Sequence, residues 1–197
     1  MVLQARRTLL LLRHAKSAWP DMPDHERPLA RRGQRDAPVM GHWLRAAGYT
    51  PDKVVCSTAC RAAQTWQLAQ SALGSAPPAV FEDQVYEADA AQLLNVIRRT
   101  SVPVRTLLVV GHDPSLPELA RTLAAAAPEA EAGTGSQARL AAVERMRAKF
   151  PTAAVAAFVF HGEWDQLGPG AARLACFVTL RELLAAGSLG DGPPVRA

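Results

Sequence analysis

The feature that most constrains this chain is its alternation of short, wholly apolar runs with longer stretches of helical periodicity. Thr8-Leu9-Leu10-Leu11-Leu12-Arg13, Lys53-Val54-Val55-Cys56 and Thr106-Leu107-Leu108-Val109-Val110-Gly111 lack the polar alternation of a half-exposed strand. They read as strands buried on both faces. Between them, Arg32 to Ala47 closes at Gly48, Arg61 to Leu73 closes at Gly74, and Ala90 to Arg99 follows Asp89, a residue suited to cap a helix N-terminus. Ala79 to Glu82 reads as a further strand after Pro77-Pro78, and Ser115 to Ala127 as a helix with Pro117 in its first turn. A glycine-bearing loop at 132–136, a helix to about Lys149 and two late strands, Ala153 to His161 and Leu174 to Leu180, complete the order. This alternation predicts an α/β fold, a three-layer α/β/α sandwich whose central sheet is mostly parallel.

Composition fixes the scale. With 197 residues, 49% apolar and 20% charged, the chain suits one soluble globular domain over 1–186, followed by a glycine- and proline-bearing tail, 187–197, expected to be mobile. The longest apolar run, Ala153 to Phe160, falls far short of the ~20 residues that span a bilayer. The N-terminal apolar run is too short for a signal peptide, so a cytoplasmic location is expected and a membrane partner is not. Cys56, Cys60 and Cys176 have neither disulfide nor zinc-ligand spacing. The net charge of +4 invites a nucleic-acid reading, but the basic residues are scattered singles and pairs with acids interleaved, which argues against one.

The chemistry-bearing residues fall where such a sheet opens. The first strand runs into Arg13-His14-Ala15-Lys16-Ser17, the second into Ser57-Thr58-Ala59-Cys60-Arg61, and the strand at Thr106 into Gly111-His112-Asp113-Pro114. Ligands of open α/β sheets bind beyond the carboxyl ends of the strands, so two histidines and two arginines are offered to one crevice if the strands are neighbours. A neutral imidazole can attack phosphorus while guanidinium forks and a second imidazole neutralise the equatorial oxygens. The same guanidiniums disfavour imidazolium, and their planar forks match phosphate bidentately. The backbone N–H groups of Lys16 and Ser17 are candidates to face phosphate oxygens. No metal or organic cofactor is called for.

In order and spacing, Arg13-His14-Ala15, Ser57-Thr58-Ala59-Cys60-Arg61-Ala62-Ala63-Gln64-Thr65 and Gly111-His112 resemble the histidine phosphatase superfamily, which includes phosphoglycerate mutases and many phosphomonoesterases. Arg13 to Trp19, Glu26-Arg27-Pro28-Leu29, Gly111 to Leu116, Phe150 to Ala154 and Trp164 to Gly170 resemble more narrowly the short SixA-type phosphohistidine phosphatases. The likeness spans roughly 8–184 and implies a phosphoglycerate mutase-like fold without a large cap insertion. It makes His14 the nucleophile and Arg13, Arg61 and His112 the phosphate pocket. It also places Glu87 in the stretch where larger relatives carry the proton donor. A phosphohistidine asks less of such a donor, because its imidazole can depart already protonated.

The implied partner is a phosphorylated protein, for instance a phosphotransfer domain carrying phosphohistidine. A small phosphorylated metabolite is the enzymatic alternative, and a non-catalytic phosphate-binding regulatory protein the alternative of another class. Two positions depart from the pattern. Asp113 stands where relatives often have an amide, and Arg181 lacks the proline that often precedes it. His25, His42 and His161 lack strand-exit context and read as surface or packing residues, the four tryptophans as core or near-core with Trp19 close enough to the motif to line the entrance, and the acidic Asp21, Asp24 and Glu26 as an ordered loop beside the pocket rather than a metal loop.

Overall fold

Four consecutive leucines at the centre of the first strand set the architecture. In the computed structural model, which describes residues 5–124 and 134–185, Leu9 to Leu12 are wholly buried. Successive strand side chains point to opposite faces, so Leu9 and Leu11 enter one hydrophobic core and Leu10 and Leu12 another. A strand that feeds two cores needs helices on both sides of its sheet, which is the arrangement found.

The strands are β1 (Arg6–Arg13), β2 (Lys53–Ser57), β3 (Ala79–Glu82), β4 (Thr106–Gly111), β5 (Val155–His161) and β6 (Arg173–Val178). They form one six-stranded sheet in the order β3-β2-β4-β1-β5-β6. The pairings β3·β2, β2·β4 and β4·β1 are parallel, while β5 runs antiparallel to both of its neighbours. Helices α1 (Arg31–Ala46), α2 (Cys60–Leu73) and α6 (Leu180–Ala185) bury Met40, Leu44, Trp66, Leu73 and Leu180 against one face. Helices α3 (Ala90–Arg98), α4 (Ser115–Leu123) and α5 (Thr134–Ala148) bury Leu93, Ile97, Leu119 and Met146 against the other. The three-layer α/β/α sandwich expected from the element order is the architecture of the chain.

Two expectations are corrected. The last strand stops at Val178, and Leu180–Ala185 is a helix because Thr179 caps it: the Glu182 carboxylate accepts from the Thr179 N–H and hydroxyl at 2.8 and 2.9 Å. The helix beginning at Ser115 is described as far as Leu123; 125–127 and the tail 187–197 lie outside the described residues. The Asp89 cap is a complete capping box with Gln92.

The topology creates a crevice. The chain leaves β1 for the α1/α2 face and leaves β4 for the α3/α4 face, although the two strands are neighbours. The loops that follow their carboxyl ends therefore part, forming the switch point at which open α/β sheets bind ligands. The register pairs Arg13 with Gly111, so the next residue on each strand exit is a histidine.

Glycine permits two close approaches near this edge. A Cβ on Gly33 would stand 2.2 Å from the Lys16 carbonyl oxygen, so α1 is pressed against the loop that follows β1. A Cβ on Gly41 would stand 2.1 Å from the Ala69 carbonyl oxygen, where α1 crosses α2. Backbone cannot swing aside as a side-chain tip can. Gly41→Ala is therefore expected to cost about 1–3 kcal/mol through overpacking, read in thermal denaturation as a fall of about 2–4 °C per kcal/mol for a chain of this size. An unchanged melting temperature would contradict this packing.

Candidate active site

His14 and His112 emerge from adjacent strands with their rings in contact, centroids 5.1 Å apart and planes tilted by 52°. Both are more than nine-tenths buried. The Nδ1 of His14 lies 2.7 Å from the carbonyl oxygen of Ala15. A carbonyl can only accept, so Nδ1 carries the hydrogen and Nε2 keeps its lone pair. The second imidazole is fixed through its other nitrogen: His112 Nε2 lies 2.7 Å from the Ser57 hydroxyl, and Nδ1 is buried without a hydrogen-bond partner.

Both rings are held neutral. Burial lowers His14 to about 4 from its ordinary 6.5; the Ala15 carbonyl opposes the shift, while the positive charges of Arg61, Arg13 and Arg27 add to it. Burial likewise lowers His112, to about 3, helped by His14 and Arg61 and opposed by Asp24. Three guanidiniums thus surround the pair. Arg61, buried on the first turn of α2, donates to the Asp24 carbonyl at 2.7 Å and to Asp24 Oδ2 at 2.9 Å. Arg13 donates to the Phe150 carbonyl at 2.6 Å and pairs with Asp113 at 3.0 Å. Arg27, also buried, donates to Ala18 O at 3.0 Å, to Ser17 Oγ at 2.7 Å and to Asp24 Oδ1 at 2.5 Å.

Asp24 is the hub of this network, since Tyr86 also donates to its Oδ2 at 3.0 Å. Partial burial alone would raise its carboxyl, but the hydrogen bonds from Arg27, Tyr86 and Arg61 outweigh that and hold it at about 2. A cavity of about 480 Å³ opens beside these groups, with Arg61, His112, Tyr86 and Glu87 on its wall. Glu87 takes a left-handed backbone angle, φ 55°, between Tyr86 and the cap of α3.

The residues expected at the site divide into three groups. His14, Arg13, Arg61 and His112 converge. Glu87 reaches the same cavity. The side chain of Lys16 is exposed, and that of Ser17 is taken up by Arg27, so any role of these two in anion binding falls to their backbone. A cation on the first turn of a helix is disfavoured by the helix dipole, and at Arg61 the Asp24 carboxylate offsets it. The Asp21, Asp24 and Glu26 loop does flank the pocket, and among the described residues no three His, Cys, Asp or Glu side chains are grouped to hold a metal ion.

His25 corrects the surface reading, because it bonds Thr58 Oγ1 at 3.0 Å and stacks edge-on against Tyr86 at the rim. Trp19 is not in the core but 77% exposed, lying over the Arg27 guanidinium at 3.2 Å. Arg27 and Tyr86 were missed as site residues. The motif Glu26-Arg27-Pro28-Leu29 was the available signal for the first, whereas nothing local marks the second.

Comparison with known proteins decides the family. The profile of the Histidine phosphatase superfamily (branch 1) matches residues 9–164. The chain belongs to this superfamily. Over 167 residues, 84% of the chain and 98% of the relative, it is 42% identical to an uncharacterised protein of Mycobacterium tuberculosis strain H37Rv. Among solved structures, a Nakamurella multipartitia protein named as a candidate phosphohistidine phosphatase SixA is 30% identical, covers 90% of this chain and 98% of its own, and superposes with a TM-score of 0.75. An Agrobacterium tumefaciens protein with the same designation is 27% identical, with coverages of 87% and 97% and a TM-score of 0.67. The superfamily fold here carries no large insertion. No helix among the described residues is long and apolar enough to cross a membrane.

Neutral burial of two histidines has a measurable consequence. Above pH 6.5 folded and unfolded chains are both neutral at these groups; between 6.5 and about 3–4 the unfolded state binds protons that the folded state refuses. Stability is therefore expected to fall as pH drops through this window and to level off, as far as these groups are concerned, below it. A His14→Asn/His112→Gln variant should show a shallower acid limb in denaturant titrations. An acid limb as steep as that of the unsubstituted protein would assign the loss to other groups.

Proposed function

We propose that this superfamily member is a phosphatase working through a phosphohistidine on His14, with a protein phosphohistidine as substrate. The observation that carries the reading is the locked tautomer of His14. The Ala15 carbonyl holds the hydrogen on Nδ1, so a lone pair is available on Nε2, and burial, with the charges of three guanidiniums adding to it, keeps the ring unprotonated. In the first step that lone pair forms a P–N bond as the substrate's bond from phosphorus to its leaving group breaks. Arg13, Arg61 and the unpartnered Nδ1 of His112 donate to the phosphoryl oxygens. In the second step water attacks phosphorus, the P–N bond to His14 breaks, its electron pair returns to Nε2, and dihydrogen phosphate departs with the oxygen and both protons of the water.

The carboxylates near the site suit different tasks. Asp24 accepts from three donors and stays ionised, and Asp113 is paired with Arg13, so neither is free to give up a proton. Glu87 has no ion pair among the described residues and is the proposed donor to an alkoxide leaving group. A protonated imidazole leaves without such help. The names of the Nakamurella and Agrobacterium proteins support the protein-phosphohistidine reading. Since positive charge for the phosphoryl oxygens comes from Arg13 and Arg61, the reaction is proposed to need no metal.

His14→Ala is expected to abolish turnover and to leave no acid-labile labelled phosphoenzyme, while the circular dichroism spectrum is retained. A folded, active variant would overturn the mechanism. Glu87→Gln is expected to slow hydrolysis of an alkyl phosphate by about 10²-fold or more and that of phosphohistidine far less; equal losses on both substrates would remove Glu87 from the donor role. A side-by-side panel of phosphorylated metabolites tests the substrate, with selective metabolite turnover ruling against the protein.

A further inference from the structure

The cavity above the phosphate-binding groups has an unusual charge distribution. Its wall carries five carboxylates, Asp24, Glu87, Asp89, Asp113 and Glu118, against the single guanidinium of Arg61. Two of the five are matched, Asp24 by Arg61 and Arg27 and Asp113 by Arg13. Glu87, Asp89 and Glu118 enter no ion pair among the described residues. Asp89 accepts only from the Gln92 side of its capping box, and Glu118 stands on the first turn of α4.

These acids do not stand over a featureless surface. The same cavity reaches His112, a residue only 7% exposed whose Nδ1 has no hydrogen-bond partner. A buried donor or acceptor left unpaired is costly, so a residue on the wall of this cavity carries a polar nitrogen that the described residues leave without a partner. One cavity therefore brings the Arg61 guanidinium and an unsatisfied imidazole together with carboxylates that no cation among the described residues compensates.

We propose that this rim selects phosphoryl groups carried on a peptide or protein segment with lysine or arginine side chains beside the phosphorylated residue, and disfavours phosphorylated metabolites bearing a second anionic group. The inference rests on the phosphatase reading above and adds to it the chemistry surrounding the phosphoryl group. A dianionic phosphoryl is drawn to Arg61, Arg13 and His112. A carboxylate or second phosphate attached beside it would face Asp89 and Glu118 and be repelled, whereas an ammonium or guanidinium there is attracted. Charges at a rim act on encounter and on KM more than on the chemical step, and they are screened by salt.

The test uses the full chain and three probes: phosphohistidine peptides of equal length flanked by lysines or by glutamates, and p-nitrophenyl phosphate. At low ionic strength the lysine-flanked peptide is expected to exceed the glutamate-flanked one in kcat/KM by about tenfold or more, mainly through KM, with the ratio falling toward one near 1 M salt, where the Debye length is about 3 Å. The Asp89→Asn/Glu118→Gln variant keeps a good helix cap at 89. It is expected to lose most of the preference while hydrolysing p-nitrophenyl phosphate as before. Equal rates on the two peptides, a glutamate preference, or a lysine preference undiminished in the variant would overturn the rim while leaving the phosphatase intact. No turnover of any probe would overturn the phosphatase reading and the rim together. The salt dependence of the unsubstituted protein reads the same electrostatics without relying on the variant.

Discussion

The parallel pairing of β1 with β4 is the constraint on which the rest of the site depends. Its register sets Arg13 opposite Gly111, and each chain then leaves the sheet with a histidine. Were the register to slip by one residue, the leucine sequence of β1 would exchange its faces, and His14 would no longer meet His112. The four buried leucines thus do two things at once. They commit the strand to a position between two helical layers, and they fix the heights at which the two imidazoles stop. The opposite directions taken by the following loops open the space that those imidazoles border.

A second level of order lies in the loop between β1 and α1. Arg27 fastens Ser17, Ala18 and Asp24 from inside, and Gly33 lets α1 press on Lys16. The antiparallel bridge between Ser17 and Leu29 closes the loop on itself. The loop is thereby built as a unit, although it contains only a single 3-10 turn, Asp24–Glu26, as regular structure between Lys16 and Arg31. Its buried arginine serves the site indirectly, by holding the carboxylate that meets Arg61. Exposed Trp19 shields the outer face of that arginine, which is a better use of an indole at this place than core packing.

What was legible in the sequence was what depends on periodicity and on chain order. The strands of Leu9–Leu12 and Leu107–Val110 announce themselves because burial on both faces demands unbroken apolar runs. The histidines and arginines at their exits could be collected because parallel strands present all their carboxyl ends on one edge. Tyr86 and His25 were not legible as site residues, and Asp24 only as part of a loop beside the pocket, since each lies outside the long helices and strands and reaches the site through contacts with residues distant in sequence. For Trp19 the core half of the expectation fails for a related reason: an aromatic is expected inside unless a specific partner, here the Arg27 guanidinium, holds it at the surface. The short helix at Leu180–Ala185 was hidden because its apolar residues continue the pattern of the preceding strand, and only the Thr179 and Glu182 cap separates the two.

Both arginines of the crevice already hold a carboxylate, Asp113 on Arg13 and Asp24 on Arg61. In the proposed reaction, arrival of a phosphoryl group is therefore an exchange of one anion for another rather than the filling of a bare positive hole. The gain on binding is the difference between two ion pairs, so inorganic phosphate is held less tightly than an unpaired fork would hold it. Such an arrangement favours turnover over product retention, because each carboxylate stands ready to reclaim its arginine as phosphate leaves.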